Sequence, residues 1–197
     1  MQQNKPTVIG ITGITGSGTS TVAKIIAGET GLVINADQLV HDLMKKNNPA
    51  FAKIVAAFGE SILSTDPETL GEINRRALGA IVFSNPAEMA RLENILHPLV
   101  INHINEIIES SSRSIIVIDA PMLVESGLNT ICHKVYLVVA DDLTRINRIV
   151  KRDGITPAAA EARLRSRKGD NFLIPHADII INNNGTLQDL SHELKQI

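Results

Sequence analysis

The 197-residue chain is 44% apolar and 20% charged, with 19 Lys and Arg against 21 Asp and Glu for a formal net charge of −2. That length and apolar share suffice for one large domain and exclude a disordered chain, while the near-neutral balance gives no electrostatic reason to expect a nucleic-acid partner. No run of about 18 apolar residues is there to span a bilayer, the polar start is no secretory signal, and the lone Cys132 closes no internal disulfide, so a cytoplasmic location is expected. With four Phe, one Tyr and no Trp, base stacking has few rings to use, and any adenine should be held by aliphatic side chains and backbone.

In chain order, a β-branched run from Thr7 to Thr12 predicts a first strand, followed by a Gly-rich turn and a helical pattern. A second strand is expected over Leu32 to Asn35. From about Asp37 to Ser112 the strand signal disappears, and helical periodicity is interrupted at Asn47-Asn48-Pro49, Asp66-Pro67, Asn85-Pro86 and His97-Pro98. Ser84 followed by Pro86 reads as a helix start, because Pro is tolerated in a first turn. Strands return at Ser114 to Ala120 and Lys134 to Ala140, then a basic amphipathic helix over Asp142 to Arg152 and another opened by Thr156-Pro157. A fifth strand at Asp178 to Asn182 and a terminal helix from Leu187 to Ile197 close the chain. Continuous apolar strands separated by helices indicate a parallel sheet buried on both faces, hence an α/β fold with five parallel strands. The chain is expected to form one domain: a core of residues 1–37 and 113–197, a helical insertion of about 38–112 and an Arg-rich lid of about 150–176.

The turn after the first strand spans Gly13-Ile14-Thr15-Gly16-Ser17-Gly18-Thr19-Ser20. Against the phosphate-loop template G-x-x-x-x-G-K-[ST], Gly13, Gly18 and Ser20 match, but Thr19 stands where Lys belongs. Glycines still let backbone N–H groups converge on phosphate oxygens, the following helix presents its positive end, and Ser20 can ligate Mg²⁺. What is lost is the ammonium that bridges the terminal phosphates. The Arg-rich segment from 145 to 168 is the candidate to supply that charge.

Together with five further segments, this loop resembles the dephospho-coenzyme A kinases, P-loop enzymes that phosphorylate the ribose 3′-hydroxyl of dephospho-coenzyme A with ATP. Asn35-Ala36-Asp37-Gln-Leu-Val-His41 is similar to the family's D-A-D-x-x-x-[RH], with Asn for the first acid. Leu92-Glu-Asn-Ile-Leu-His97-Pro98 matches L-E-x-I-x-H-P, and Ile101 replaces an Arg that often follows. Asp119-Ala-Pro121-Met-Leu-Val-Glu125 is similar to D-x-P-L-L-F-E. Arg148 and Arg152-Asp153 match R-x-x-x-R-D, with Arg163 as the following lid arginine, and Arg145 and Arg167 occupy positions where Gln is common. Ala177-Asp178 through Asn183 and Gly185 resembles the closing A-D-x-V-I-D-N-x-G.

The resemblance implies a P-loop NTPase-like three-layer fold, ATP and dephospho-coenzyme A as substrates, and Mg²⁺ as the cofactor held near Ser20 and Asp119. It implies that Asp37 prepares the 3′-hydroxyl, where the residue pattern alone equally allows a helix cap before Gln38. His41, His97 and Pro121 join Asp37 in acceptor binding, although a packed histidine at a helix break is an equal reading of His97. ATP binding falls to Gly13 through Ser20 with Arg148, Arg163 and, near the adenine, Asn183. Arg152 is the expected catalytic cation, with Arg145, Arg165, Arg167 and Lys168 individually better read as solvated helix positions. A catalytically weakened binding protein of the same fold, or a kinase for another nucleoside-type acceptor, is the alternative reading. Cys132 is expected to be structural, and no zinc-ligand spacing is seen among the six histidines.

Overall fold

The computed structural model describes residues 5–165 and 170–196. The chain divides into two compact units, one built from the segments up to Asn35 and from Ser111, the other from Ala36–Ser110.

The first unit carries five strands, β1 (Thr7–Gly13), β2 (Leu32–Asn35), β3 (Ile115–Asp119), β4 (Lys134–Val139) and β5 (Ile179–Asn182). They pair in the order β2-β3-β1-β4-β5, every neighbour parallel. Each is visible in sequence as an apolar run because a parallel strand is covered on both faces. Helix α1 (Thr19–Ala27) and the terminal helix α9 (Leu187–Leu194) pack on one face. Val22, Ala23 and Leu190 meet Ile9, Ile11, Val117, Tyr136 and Val138 there in one buried cluster. Under the other face Gly10 is required, because a Cβ would lie 2.7 Å from both Cys132 Sγ and a Leu123 methyl.

The second unit holds α2 (Ala36–Leu43), α3 (Pro49–Phe58), α4 (Arg75–Ser84) and α5 (Pro86–Ser110), with a single antiparallel bridge between Leu63 and Ile73. Three expectations change here. Helix α5 runs unbroken through His97 and Pro98 for 25 residues; Pro removes one backbone donor, which the flanking turns tolerate. Ser84 ends α4 rather than opening α5: the Asn85 side chain accepts from the Ala87 N–H at 3.0 Å and takes the capping role. Asp37 is not a cap: β2 stops at Asn35, two residues earlier, and Asp37 lies in the first turn of α2.

After β4 the first unit continues with α6 (Asp142–Asp153), α7 (Pro157–Arg165) and α8 (Asp170–Leu173). The Asp141 side chain caps α6 by accepting from Thr144 N–H at 2.7 Å. Gly154 ends α6 in the left-handed conformation at φ 64°, the conformation only Gly adopts without a side-chain penalty.

Candidate active site

The carboxyl ends of parallel strands are where open α/β sheets bind ligands, and the loop from Gly13 to Ser20 leaves β1 at that edge. Gly16 and Gly18 adopt φ values of 87° and 95°. Their lack of side chains is also enforced by neighbours: a Cβ on Gly16 would sit 2.9 Å from the Arg145 carbonyl oxygen, and one on Gly18 only 2.4 Å from Asn183 Nδ2. Gly13 is as tightly held, since a Cβ there would lie 2.5 Å from the Val138 carbonyl oxygen and 2.7 Å from Ser17 Oγ. Ile14 is buried, Thr15 half-buried, and Thr19 and Ser20 form the first turn of α1.

The loop is fastened through its carbonyls; the Ser17 N–H is taken up within the loop by Ile14 O at 3.0 Å, and the N–H groups around it are the ones an anion could use. Asn183 is 6% exposed and donates from Nδ2 to Ser17 O at 2.7 Å. Arg148 donates from one guanidinium nitrogen to Ser17 O at 3.2 Å and Gly16 O at 3.4 Å, and from the other to Asn183 Oδ1 at 3.5 Å. Asn183 therefore supports the phosphate loop with the amide that sequence reasoning assigns to adenine.

Ser20 Oγ donates to Asp119 Oδ2 at 2.6 Å. Asp119 ends β3, in register with Ile11 of β1 and Asn35 of β2, and is 2% exposed. Its other oxygen, Oδ1, is buried and has no hydrogen-bond partner among the described residues. An orphaned carboxylate oxygen beside a hydroxyl is a hard-oxygen donor pair, the chemistry that suits a divalent metal completing its shell with water and phosphate oxygens. No group of three or more His, Cys, Asp or Glu suited to a metal occurs among the described residues, so a cation here would take most of its ligands from water and a bound phosphate. Ser17 Oγ and Glu125 Oε2 are likewise buried without partners among the described residues. Sequence reasoning gives Glu125 no role of its own: it enters there only as the last residue of the segment similar to D-x-P-L-L-F-E.

The lid arginines cluster rather than spread. Arg152 makes a two-point contact with Asp153, Nε at 2.7 Å and a second nitrogen at 3.0 Å, and Arg163 pairs with the same carboxylate. The Arg152 hydrogen bond holds the Asp153 carboxyl below the usual range. Arg145 is not a solvated helix residue as expected. It is 8% exposed, pairs with Asp142, and its backbone lies against Gly16. Arg165 is exposed and pairs with Glu161, while Arg167 and Lys168 lie outside the described residues.

Pro121 follows β3, and its carbonyl accepts from Thr12 Oγ1 of β1 at 3.3 Å. Cys132 donates to Leu128 O at 3.3 Å, and burial pushes its thiol up to about 12, the mark of an unreactive cysteine. In the second unit Asp37 is exposed, His41 Nδ1 lies 3.4 Å from the Gln38 amide nitrogen, and His97 is half-buried on α5.

The family model for dephospho-CoA kinase matches residues 7–189. The chain belongs to the dephospho-CoA kinase family. A dephospho-CoA kinase of Geobacillus kaustophilus is 39% identical over 193 residues, 96% of this chain and 94% of that protein. A dephospho-CoA kinase of Fusobacterium nucleatum is 35% identical over 189 residues, covering 96% and 95%. The solved dephospho-CoA kinase from Campylobacter jejuni superposes with a TM-score of 0.65 at 28% identity, over 96% of this chain and 94% of that one. Membership makes this a kinase of the ATP-using P-loop class. No helix among its described residues is long and apolar enough to cross a membrane.

Proposed function

We propose that this dephospho-CoA kinase family member transfers the γ-phosphoryl group of ATP to the ribose 3′-hydroxyl of dephospho-coenzyme A, with Mg²⁺ as the cation. The observation that carries the reading is the buried, orphaned Asp119 Oδ1 beside Ser20 under a loop whose carbonyls are tied back by Arg148 and Asn183. That combination prepares the loop N–H groups for phosphate and the two side-chain oxygens for a metal. When bound, Mg²⁺ neutralises charge on the terminal phosphates.

The chain's own residues supply the remaining steps. Asp37 accepts the proton of the 3′-hydroxyl as it attacks, a role open to an exposed carboxylate that can come within hydrogen-bond reach of its substrate. His41, His97 and Pro121 contribute to acceptor binding. The ammonium absent at Thr19 is replaced by Arg152 and Arg163. Support comes from Asp153, which gathers both guanidiniums, and from helix α6, where Arg152 follows loop-bound Arg148 by one turn. Arg148 acts differently: with its donors on Gly16 O and Ser17 O, it shapes the loop rather than meeting the transferring group.

The test is ADP release from ATP with dephospho-coenzyme A as acceptor, in the wild type and in Arg152→Gln, Arg163→Gln and Thr19→Lys. The account expects wild-type turnover, a fall in kcat in both arginine variants, and little gain in Thr19→Lys because the charge is already supplied. Tight binding of both substrates without turnover, with a large gain in Thr19→Lys, would instead identify a weakened catalyst.

A further inference from the structure

Asp153 stands against the electrostatics of its own helix. It is the last residue of α6, and Gly154 follows it in the left-handed conformation. A carboxylate at a helix C-terminus meets the negative end of the dipole, where a cation is favoured; Lys151 and Arg152 in the same turn obey that rule and Asp153 does not. Asp153 is also the most enclosed member of the arginine cluster, with its side chain 20% exposed against 61% for Arg152 and 52% for Arg163. An acid kept in an unfavourable place, and covered there by two exposed arginines, is a fixed post with two exposed arms.

The two arms are held differently. Arg152 grips Asp153 from its own helix through Nε and Nη2 at 2.7 and 3.0 Å, which leaves Nη1 and its N–H donors outside the grip. Arg163 comes from α7, ten residues on and past the turn at Gly154, and donates from Nη1 to the same Oδ2 that Arg152 Nη2 uses. The post itself has a set place: Arg148 fastens α6 to the phosphate loop, and Asp153 follows about 7.5 Å further along the same helix. One carboxylate against two guanidiniums leaves the cluster with an excess of one positive charge. Exposed pairs of this kind are individually weak, and a polyphosphate offers more charge in the same fork geometry. A phosphate group brought up to the arginines therefore competes with Asp153 for Arg163, while Arg152 has donors enough to serve both.

We infer that Asp153 is a positioning residue for phosphoryl transfer and a counterweight on ATP binding: it aligns Arg152 and Arg163 before the nucleotide arrives, gives up Arg163 to the phosphates and keeps its grip on Arg152. The inference rests on the reading that ATP is the donor and that these two arginines meet its phosphates. Its two consequences have opposite signs. Loss of the carboxylate removes a competitor, so the nucleotide binds more tightly, and removes the alignment of Arg152, so turnover falls. A residue that only stabilised the fold would lower affinity and turnover together.

Calorimetric titration of the full chain with a non-hydrolysable ATP analogue and Mg²⁺, paired with steady-state turnover on ATP and dephospho-coenzyme A, tests it. Asp153→Asn is expected to bind the analogue about three- to tenfold more tightly, the range set by releasing two exposed pairs, and to lose about tenfold or more in kcat as a charge at the transferring group is misaligned. Glu161→Gln removes an equal charge from α7, where its partner is the exposed Arg165, and is expected to change affinity and kcat by less than about twofold. In the Arg152→Gln/Arg163→Gln background Asp153→Asn is expected to leave affinity where it is, because no arginine remains to be released. The proposal is overturned if Asp153→Asn leaves affinity unchanged or weakens it, or if kcat holds or rises as binding tightens. It is equally overturned if Glu161→Gln tightens binding as much, or if the tightening persists without the two arginines. A wild type that binds no ATP analogue would overturn the ATP reading itself.

Discussion

Gly18→Ala isolates the tightest feature of the phosphate loop. The substitution costs twice: a non-glycine residue at φ 95° is strained by about 1–2 kcal/mol, and the new methyl would stand 2.4 Å from Asn183 Nδ2. Relief requires the buried amide to leave Ser17 O, its partner at 2.7 Å, a loss of about 1–3 kcal/mol when a buried donor is left unsatisfied. Gly154→Ala is the matched comparison, because Gly154 is also left-handed at φ 64° but has nothing within 4 Å of its Cβ position. At about 3 °C per kcal/mol for a chain of this size, Gly154→Ala should lower the melting temperature by about 3–6 °C and Gly18→Ala by about 6–15 °C. Gly18→Ala should also raise the KM for ATP. Combining it with Asn183→Ala should cost at least about 1 kcal/mol less than the sum of the two single changes, because each removes the same contact. Equal melting shifts in the two glycine variants, together with strict additivity in the double variant, would refute the claim that Asn183 braces the loop.

Asp119→Asn, which keeps the shape and removes the charge, is expected to raise the metal concentration needed for half-maximal activity about 10–100-fold, the range for losing a group that orients a bound metal; an unchanged metal titration would contradict the assignment. Asp153→Asn tests the lid cluster through pH. The wild-type carboxyl is held low by Arg152, so its contribution is present above the unfolded-state value of about 3.9 and disappears as pH falls through the lower folded-state value. The stability difference between wild type and Asp153→Asn should therefore be constant from about pH 5 to 8 and shrink below about pH 4, as read by urea unfolding across that range. Cys132, with its thiol pushed up to about 12, should resist iodoacetamide at pH 8 in the native protein and react on denaturation; rapid native labelling would show the thiol to be accessible.

The sheet is legible because each parallel strand is a short apolar run, and the observed strands differ from the expected ones by a residue or so at their ends. The helical segment is less legible where local signals compete with packing. Pro98 looks like a break, yet Leu96, Val100 and Ile104 are buried along one continuous α5. Ser84 and Asn85 are both good caps by residue type, and only the side-chain hydrogen bond of Asn85 distinguishes them. Phosphate-loop residues are readable from glycine spacing, but the bracing by Arg148 and Asn183 is not, since those contacts join positions 131 and 166 residues from Ser17. Arg145 misleads for the same reason: in sequence it is one more cation on a basic helix, and only the approach of Gly16 explains its burial.

The most direct test of the central claim is the identity of the product formed from ATP and dephospho-coenzyme A by the purified chain. The account predicts one ADP per molecule of coenzyme A, with phosphorus NMR placing the new phosphate on the ribose 3′-oxygen and turnover requiring a divalent cation. Nucleotide binding without a phosphorylated product, or a phosphate carried to another position or another acceptor in preference, would contradict it.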